Sequence, residues 1–223
     1  MKVSILQFPG TNCEYDTKHA FESLGATTEI VWHKSETIPA DTDLLVVAGG
    51  FSYGDYLRSG AIAKFSPVMK AVKAYAQNGG KVLGICNGFQ VLTESGLLPG
   101  ALKRNESLHF LSKHHHLKVQ NNDNDFLMLL EKGDVINIPI AHHDGNYYID
   151  EAGLAELYAN NQVLLTYCDA NGNELNPNGS VDAIAGVCNK SKNVFGLMPH
   201  PERAMELILG SNDGIKMLQG FLK

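Results

Sequence analysis

The sequence predicts an α/β fold with a mostly parallel central sheet flanked by helices and an appended antiparallel β-hairpin region. Apolar runs of strand length recur in the first 90 residues, and turn signals and helix-like stretches separate them. This alternation is typical of βαβ units whose parallel strands are buried on both faces. A later stretch rich in Asn-Gly and Asp-Gly pairs interrupts the alternation and predicts the antiparallel part.

The first half of the chain contains four predicted strands and two predicted helices. The strands are VSILQF (3–8), TTEIVWH (27–33), DLLVVAGG (43–50) and KVLGI (81–85). The first helix lies in CEYDTKHAFESLGA and ends at Gly25, a typical C-terminal stop. The second places Val68, Val72 and Tyr75 on one face and ends at a glycine pair.

The second half of the chain has a different pattern. From about residue 105 to residue 182, short β-like runs alternate with Asn-Gly, Asp-Gly and Pro-Asn-Gly turns, which predicts hairpins. A strand that runs into a helix is then predicted in VFGLMPHPERAMELILG (194–210), followed by a short amphipathic segment, DGIKMLQGFLK (213–223). Because no linker or repeat interrupts the chain, residues 1–223 are predicted to form a single domain.

Composition excludes several classes of function. Lysine and arginine total 18 against 24 aspartate and glutamate, so a net charge of -6 gives no support for a nucleic-acid partner. No run approaches the roughly 20 apolar residues that cross a bilayer, and the N-terminus lacks a signal peptide pattern, so we expect a cytoplasmic protein without membrane contact. The four cysteines are widely spaced without a C-x-x-C pair, which predicts free thiols and no metal site.

One cysteine stands between two glycines where an apolar strand gives way to a helical pattern, in GICNGFQ (84–90). A sharp strand-to-helix turn there would expose Cys86 above the sheet as a nucleophile elbow. Gly84 and Gly88 would allow strand and helix to approach closely, and the helix N-terminus would stabilise a thiolate. The sequence therefore predicts a cysteine nucleophile. The alternative is that Cys86 is a small buried apolar residue, as most free cysteines are.

A thiol nucleophile needs a base, and His200 is the best placed of the nine histidines. It alone follows an apolar strand directly and precedes a helix start, with Pro201 at the first helical position. Glu202 could accept its imidazole N–H and orient the ring, as a carboxylate does in a catalytic triad. Because the carboxyl ends of parallel strands share one edge of a sheet, Cys86 and His200 can meet there. The alternative is a histidine that only ends a strand.

A glycine loop, GGFSYGDYLRSGA (49–61), leaves the third predicted strand at the same edge. Asp55 stands where a phosphate-binding loop would need lysine, so phosphate binding is rejected. A backbone N–H of this loop and the N–H of Asn87 could instead form an oxyanion hole. The alternative is an ordinary tight turn.

Together the glycine loop, the G-x-C-x-G-x-Q of GICNGFQ and the H-x-E of HPER resemble class I glutamine amidotransferases, whose core is flavodoxin-like. The resemblance covers the whole chain, and four longer segments point to a more specific group within this family. GGFSYGDYLRSGAIA, GICNGFQVLTESGLLPGAL, PIAHHDGNYY and MPHPERA are similar to the glutaminase subunits of phosphoribosylformylglycinamidine synthases, which act in purine biosynthesis. In combination these motifs are highly specific.

This resemblance implies a substrate and site roles. Cys86 would attack the side-chain amide of L-glutamine and form a thioester, releasing ammonia, and water would then release glutamate. Gly50 and Asn87 would supply the oxyanion N–H groups, while Phe51 and Gln90 would help to hold the glutamine.

The resemblance also implies partners. Ammonia would pass to a large synthetase subunit, which uses ATP and magnesium to convert formylglycinamide ribonucleotide to the amidine, and a small subunit would bridge the two. This chain would carry no cofactor. It contains no Walker lysine motif, so any ligase activity must come from a partner.

Two loops depart from the family pattern. The expected His-Gly-Glu-Gly reads HHDG (142–145), with His143 and Asp144 at the altered positions, which leaves a substrate role for that loop open. Ser59 stands where many relatives carry cysteine, which argues against a catalytic task for a second thiol at that position.

The run KHHHL (113–117) also departs from relatives, which carry a mixed charged stretch. Side chains alternate along a strand, so His114 and His116 would share one face while His115 points away. This pattern favours a solvated polar strand over a metal site.

Two other functions fit parts of the sequence. A cysteine peptidase or chaperone of the related α/β type also carries a thiol on an elbow, but there the histidine commonly follows the cysteine closely, and residue 87 here is asparagine. A non-catalytic scaffold that keeps the fold has no need of cysteine, histidine and glutamate at these bends. The amidotransferase interpretation is therefore favoured.

Overall fold

The computed structural model describes residues 1–223 as eleven strands and five α-helices joined by turns, loops and short 3-10 segments. The strands are β1 (Lys2–Gln7), β2 (Thr27–Trp32), β3 (Leu44–Val47), β4 (Lys81–Ile85), β5 (Ala101–Lys103), β6 (Leu111–Val119), β7 (Val135–His142), β8 (Asn146–Tyr148), β9 (Val163–Cys168), β10 (Ile184–Cys188) and β11 (Val194–Leu197). The helices are α1 (Glu14–Ser23), α2 (Val68–Gln77), α3 (Asn87–Glu94), α4 (Glu151–Ala159) and α5 (Gly214–Gln219).

A nine-stranded sheet forms the centre of the molecule, in the order β2-β1-β3-β4-β11-β10-β9-β6-β7. The first five strands in this order run parallel, and the last four pair in an antiparallel manner. Only β5 and β8 form a separate two-stranded sheet. The predicted α/β class is confirmed, and the antiparallel region mostly extends the central sheet.

The inner parallel strands β1, β3, β4 and β11 are buried because helices and loops cover both faces of the sheet, whereas the edge strand β2 is mostly exposed or half-buried. All four residues of β3 are fully buried, and they belong to a single apolar cluster of 54 buried residues. This explains why the sequence of β3 is an uninterrupted apolar run rather than an alternating one. None of the helices has the length or the apolar content required to span a membrane.

The parallel half of the sheet brings four loops to one edge. β1, β3, β4 and β11 are neighbours in the sheet and point the same way, so the segments that follow them emerge side by side. Ligand sites in open α/β sheets lie at this carboxyl edge. The glycine loop, Cys86 and His200 all follow strands of this set.

The helix predicted after β11 is wrong. Two short 3-10 turns form instead, Pro201–Arg203 and Leu207–Leu209, and Ala204 between them leaves the helical region with φ -121° and ψ 50°. The cause is the packing of α5, whose first residue, Gly214, lies against the Pro201 and Ala204 carbonyls. The Gly214 N–H donates to the Ala204 carbonyl at 2.9 Å, and a Cβ on Gly214 would lie 2.0 Å from the Pro201 oxygen.

Helix α4 is absent from the sequence prediction, which places only hairpins in that region. Its N-cap is Asp150, whose carboxylate accepts the Gly153 N–H at 2.8 Å. An aspartate before a helical run is a recognised start signal. The sequence of α4 shows no apolar stripe that would mark it as helical, and in the structure only Leu157 of the helix is buried.

Candidate active site

The chain turns sharply at Cys86, between the end of β4 and the start of α3. Cys86 has φ 51° and ψ -107°, a strained backbone for a residue with a side chain. The close approach of strand and helix depends on glycine, since a Cβ on Gly88 would lie 1.8 Å from the Val47 oxygen. A Cβ on Gly84 would lie 2.8 Å from the Gly88 backbone. The prediction that the elbow exposes Cys86 is wrong: the residue is 6% exposed and belongs to the apolar cluster. The cause is the strand β7, whose Ala141 carbonyl lies 3.6 Å from the Cys86 sulfur and covers it.

His200 and Glu202 form a buried pair on the neighbouring strand end. The His200 Nδ1–H donates to Glu202 Oε1 at 2.7 Å, and both side chains are almost fully buried. The other ring nitrogen, Nε2, has no hydrogen-bond partner in the chain although it is buried. A buried polar atom without a partner is uncommon, and here it leaves one nitrogen free to exchange a proton with a reacting group.

The sheet register brings Cys86 and His200 together. Ile85 at the end of β4 lies opposite Leu197 at the end of β11, and the Cys86 N–H donates to the Leu197 carbonyl at 2.8 Å. Burial lowers the pKa of His200, but the charges of Glu202 and of a Cys86 thiolate raise it well above the ordinary histidine value. The raised pKa keeps the His200 imidazole protonated at neutral pH, so the ring can act as a proton donor.

The Gly50 N–H is free in the glycine loop. Neighbouring groups are engaged, since the Phe51 N–H donates to the Gly10 carbonyl at 2.9 Å and the Gly49 carbonyl accepts from Asn12. The Gly50 N–H makes no hydrogen bond within the chain. Asn87 is the first residue of α3, so its N–H has no intrahelical acceptor. Both groups assigned to an oxyanion hole are thus available as donors.

The side chain of Asn87 has a role that sequence reasoning missed. Its Oδ1 accepts the Ser52 N–H at 3.0 Å, and its Nδ2 donates to Gln90 Oε1 at 2.8 Å. It therefore ties the glycine loop to α3. Gln90 Nε2 in turn donates to the Asp144 carbonyl at 2.7 Å, which leaves Gln90 one free N–H. Phe51 is 43% exposed beside these groups.

The HHDG loop lies against the same site. Ser59 Oγ donates to Asp144 Oδ2 at 2.8 Å, so this serine joins the glycine loop to the HHDG loop. Burial raises the pKa of Asp55 to about 6, and the Asp144 carboxylate contributes to the rise. The two carboxylates therefore give this side of the site a negative potential, which suits a substrate that carries an ammonium group.

Comparison with known proteins identifies the family. A family model described as a CobB/CobQ-like glutamine amidotransferase domain matches residues 1–214. The chain belongs to this family. Membership favours the amidotransferase interpretation over the peptidase alternative.

Individual relatives match this amidotransferase over its full length. A protein of Sulfurimonas denitrificans named phosphoribosylformylglycinamidine synthase subunit PurQ is 84% identical over 223 residues, which cover 100% of both chains. The protein of that name from Wolinella succinogenes is 62% identical and covers 99% of both chains. A chain in the structure of PurLQS from Thermotoga maritima superposes with a TM-score of 0.89 at 43% identity, covering 99% of this chain and 97% of that one.

A second cysteine of the amidotransferase lies at the site, and no sequence signal pointed to it. Ligand atoms of Cys13, His200 and Glu202 all lie within 4.8 Å of one another. Arg203 Nη2 donates to Cys13 Sγ at 3.2 Å. Because a guanidinium already holds the sulfur and His200 already holds the carboxylate, this cluster suits the positioning of a base better than the binding of a cation.

The histidine run of the amidotransferase lies apart from these groups. His115 is buried on Tyr167 in an edge-on contact, and its Nε2 lies 2.9 Å from the Leu175 carbonyl. His114 is exposed, and its Nε2 lies 3.1 Å from the Leu209 carbonyl. These two rings thus have separate backbone partners, and the three rings of the run do not converge on a common ligand position.

Proposed function

We propose that this chain is the glutaminase subunit of a phosphoribosylformylglycinamidine synthase in de novo purine biosynthesis. It hydrolyses L-glutamine to glutamate and ammonia and supplies the ammonia to a separate synthetase. The observation that carries the proposal is a cysteine on a strained elbow beside a buried His–Glu pair, in a chain 84% identical over its full length to a protein of that name.

Acylation begins with the Cys86 thiolate and the His200 imidazolium. The sulfur attacks the side-chain amide carbon of glutamine, and the developing oxyanion is stabilised by the N–H groups of Gly50 and Asn87. His200 gives its proton to the amide nitrogen, and ammonia leaves with formation of a thioester. Glu202 keeps the ring oriented through its bond to Nδ1.

Deacylation reverses these roles. The now neutral His200 takes a proton from water as the water attacks the thioester carbon. The second tetrahedral intermediate collapses to glutamic acid and expels the Cys86 thiolate, and the acid then loses its proton to solvent. The starting thiolate and imidazolium are thereby restored. Gln90, through its free N–H, and Phe51, at the rim, hold the glutamine in both steps.

The partners follow from the same proposal. Ammonia passes to a large synthetase subunit that uses ATP and magnesium to convert formylglycinamide ribonucleotide to formylglycinamidine ribonucleotide, and a small subunit bridges the two. This chain itself uses no cofactor and acts as one domain over residues 1–223. The match to a chain of the PurLQS structure supports this assembly, and the single apolar cluster supports the domain assignment.

Glutamine hydrolysis by the chain alone and by the chain mixed with its synthetase subunits tests the coupling. We expect the rate of glutamate release to rise at least about tenfold in the complex. The reason is that binding of the synthetase, which accepts the ammonia, would induce the productive conformation of the glutaminase site. Glutamate release is measured at saturating glutamine with and without the nucleotide substrates. Equal rates in the two states would contradict the coupling.

Replacement of Glu202 by glutamine tests the base. Burial lowers the pKa of His200, and Glu202 is the largest influence that raises it. In Glu202→Gln the pKa of His200 falls, so the imidazolium is lost at a lower pH. We expect the alkaline limb of kcat/KM for glutamine to move to lower pH, and the rate at neutral pH to fall about 10²-fold.

Glu206→Gln is the matched control, because Glu206 is an exposed carboxylate four residues further on that pairs with His19. Its pH profile should equal that of the unmodified protein. A Glu202→Gln profile with an unshifted alkaline limb would show that His200 is not the titrating base.

A further inference from the structure

The segment after β1 holds the glycine loop through its backbone. The Gly49 carbonyl accepts the N–H groups of Asn12 and Cys13, at 3.3 and 3.2 Å. Thr11 and Gly50 lie opposite each other in an antiparallel bridge. The contact is close, since a Cβ on Gly50 would lie 2.6 Å from the Asn12 nitrogen. The direction of the Gly50 N–H therefore depends on residues 11–13.

The side chain of Cys13 reaches the base from this same segment. A Cβ built on Gly49 would lie 3.1 Å from His200 Cε1 and 3.2 Å from Cys13 Sγ, so the ring and the sulfur pack together beneath the glycine loop. Cys13 is 2% exposed, and it precedes α1 as its N-cap residue. The sulfur thus fills the space beside the ring.

Arg203 fixes the sulfur from its other side. Its Nη2 donates to Cys13 Sγ at 3.2 Å, and its Nε donates to the Asp16 carboxylate of α1 at 2.9 Å. Asp16 and Arg203 form an ion pair between α1 and the turn that carries His200 and Glu202. Two polar contacts of Arg203 therefore tie the start of α1 to the turn that carries His200 and Glu202.

We propose that Cys13 is a positioning residue that holds the base His200 and the Gly49–Gly50 oxyanion loop in register with each other. Its backbone N–H donates to the Gly49 carbonyl of the loop, and its sulfur lies within 4.8 Å of a ring nitrogen of His200. This inference rests on the proposed function, because it assigns Cys13 to the reaction of Cys86.

The protonation state of Cys13 suits positioning rather than nucleophilic attack. Burial raises the pKa of the Cys13 thiol, so the group is neutral and non-nucleophilic at neutral pH. The charged or titratable groups that act on His200 or on this thiol are Glu202, Cys86, Arg203 and His142. Burial lowers the pKa of His200, and Cys13 adds to the groups that raise it.

Cys13→Ala and Cys13→Ser test the proposal in the complex with the synthetase subunits. Cys13→Ala removes the packing and the sulfur contact, so the ring and loop are free to shift. We expect kcat/KM for glutamine to fall about tenfold, with the alkaline limb moved to lower pH. Cys13→Ser keeps a small polar group beside Arg203, so we expect it to recover part of both losses.

Cys188→Ala is the matched control. Cys188 is fully buried in β10 and lies opposite Phe195 near the start of β11, whereas His200 follows the other end of β11. It should keep kcat/KM within about twofold and an unshifted pH profile. A Cys13→Ala pH profile equal to that of the unmodified protein would overturn the positioning role. If Cys13→Ala fails to assemble, the profile of Cys13→Ser decides in the same way.

The outcomes for the two claims are separable. A Cys86→Ala variant with full glutamine hydrolysis would overturn the proposed function itself. An unshifted profile in the Cys13 variants, with Cys86→Ala inactive, would overturn only the positioning role.

Discussion

Replacing Cys86 with alanine is expected to reduce glutamine hydrolysis by about 10⁴-fold or more, because the covalent route disappears with the sulfur. The remaining oxyanion donors and His200 cannot form a thioester. The fold should persist, since the sulfur is one small buried atom and alanine adopts the same backbone with comparable strain. Binding to the synthetase subunits should therefore be unchanged.

Ammonium salts provide the internal control for Cys86→Ala. If only the nucleophile is lost, the complex should still form the amidine when ammonia is supplied directly, while glutamine supports no product. Cys168→Ala, which alters a buried cysteine in β9, should keep both activities. Retention of even a tenth of glutamine hydrolysis by Cys86→Ala would show that this sulfur is not the nucleophile.

Local sequence patterns were enough to predict the parallel strands of the fold and the sharp turn at Cys86. The predicted turn at Cys86 and the helix that begins at Asn87 are both confirmed, because glycines two positions either side of a residue have a direct steric meaning. The strand β4 has the predicted bounds, and the bounds of β1, β2 and β3 differ from the predicted ones by at most three residues. A buried parallel strand has an apolar sequence whichever strands lie beside it, so it can be predicted without knowing the strand order.

Contacts between distant segments could not be predicted. Cys13 lies beside His200, but the segment that contains it has no motif, and only the sheet order places β1 at the same edge as β11. The side chain of Asn87 likewise bonds to Ser52, and nothing in either local pattern indicates the pair. Such packing depends on the order of strands, which apolar periodicity does not encode.

Departures from helical expectation also have tertiary causes. The segment after His200 carries a good start signal in Pro201, yet it forms only short 3-10 turns because α5 packs against its carbonyl groups. Conversely, α4 forms with little burial because the Asp150 cap starts it. Tertiary contacts thus outweigh local propensity in the first case, and a single cap outweighs weak periodicity in the second.

Replacing Gly88 with alanine is expected to destabilise the protein by about 3 kcal/mol or more and to abolish glutamine hydrolysis. The added Cβ would lie 1.8 Å from the Val47 carbonyl oxygen, a backbone atom of a fully buried strand that cannot rotate away. Strand β3 and helix α3 would have to separate, which would move Cys86 and the Asn87 N–H. The gain in helix propensity from alanine, about 1 kcal/mol, is too small to offset this overlap.

Gly96→Ala separates the steric effect from the backbone effect. Gly96 follows α3, has φ 73°, and an added Cβ there would meet nothing within 4 Å. Its cost should be about 1 kcal/mol, from the positive φ alone, with activity retained. Chemical denaturation gives both free energies of unfolding, and glutamate release gives the activities. If Gly88→Ala were no less stable than Gly96→Ala, helix and strand would not be in contact at Gly88, and the elbow would lack the steric basis assigned to it.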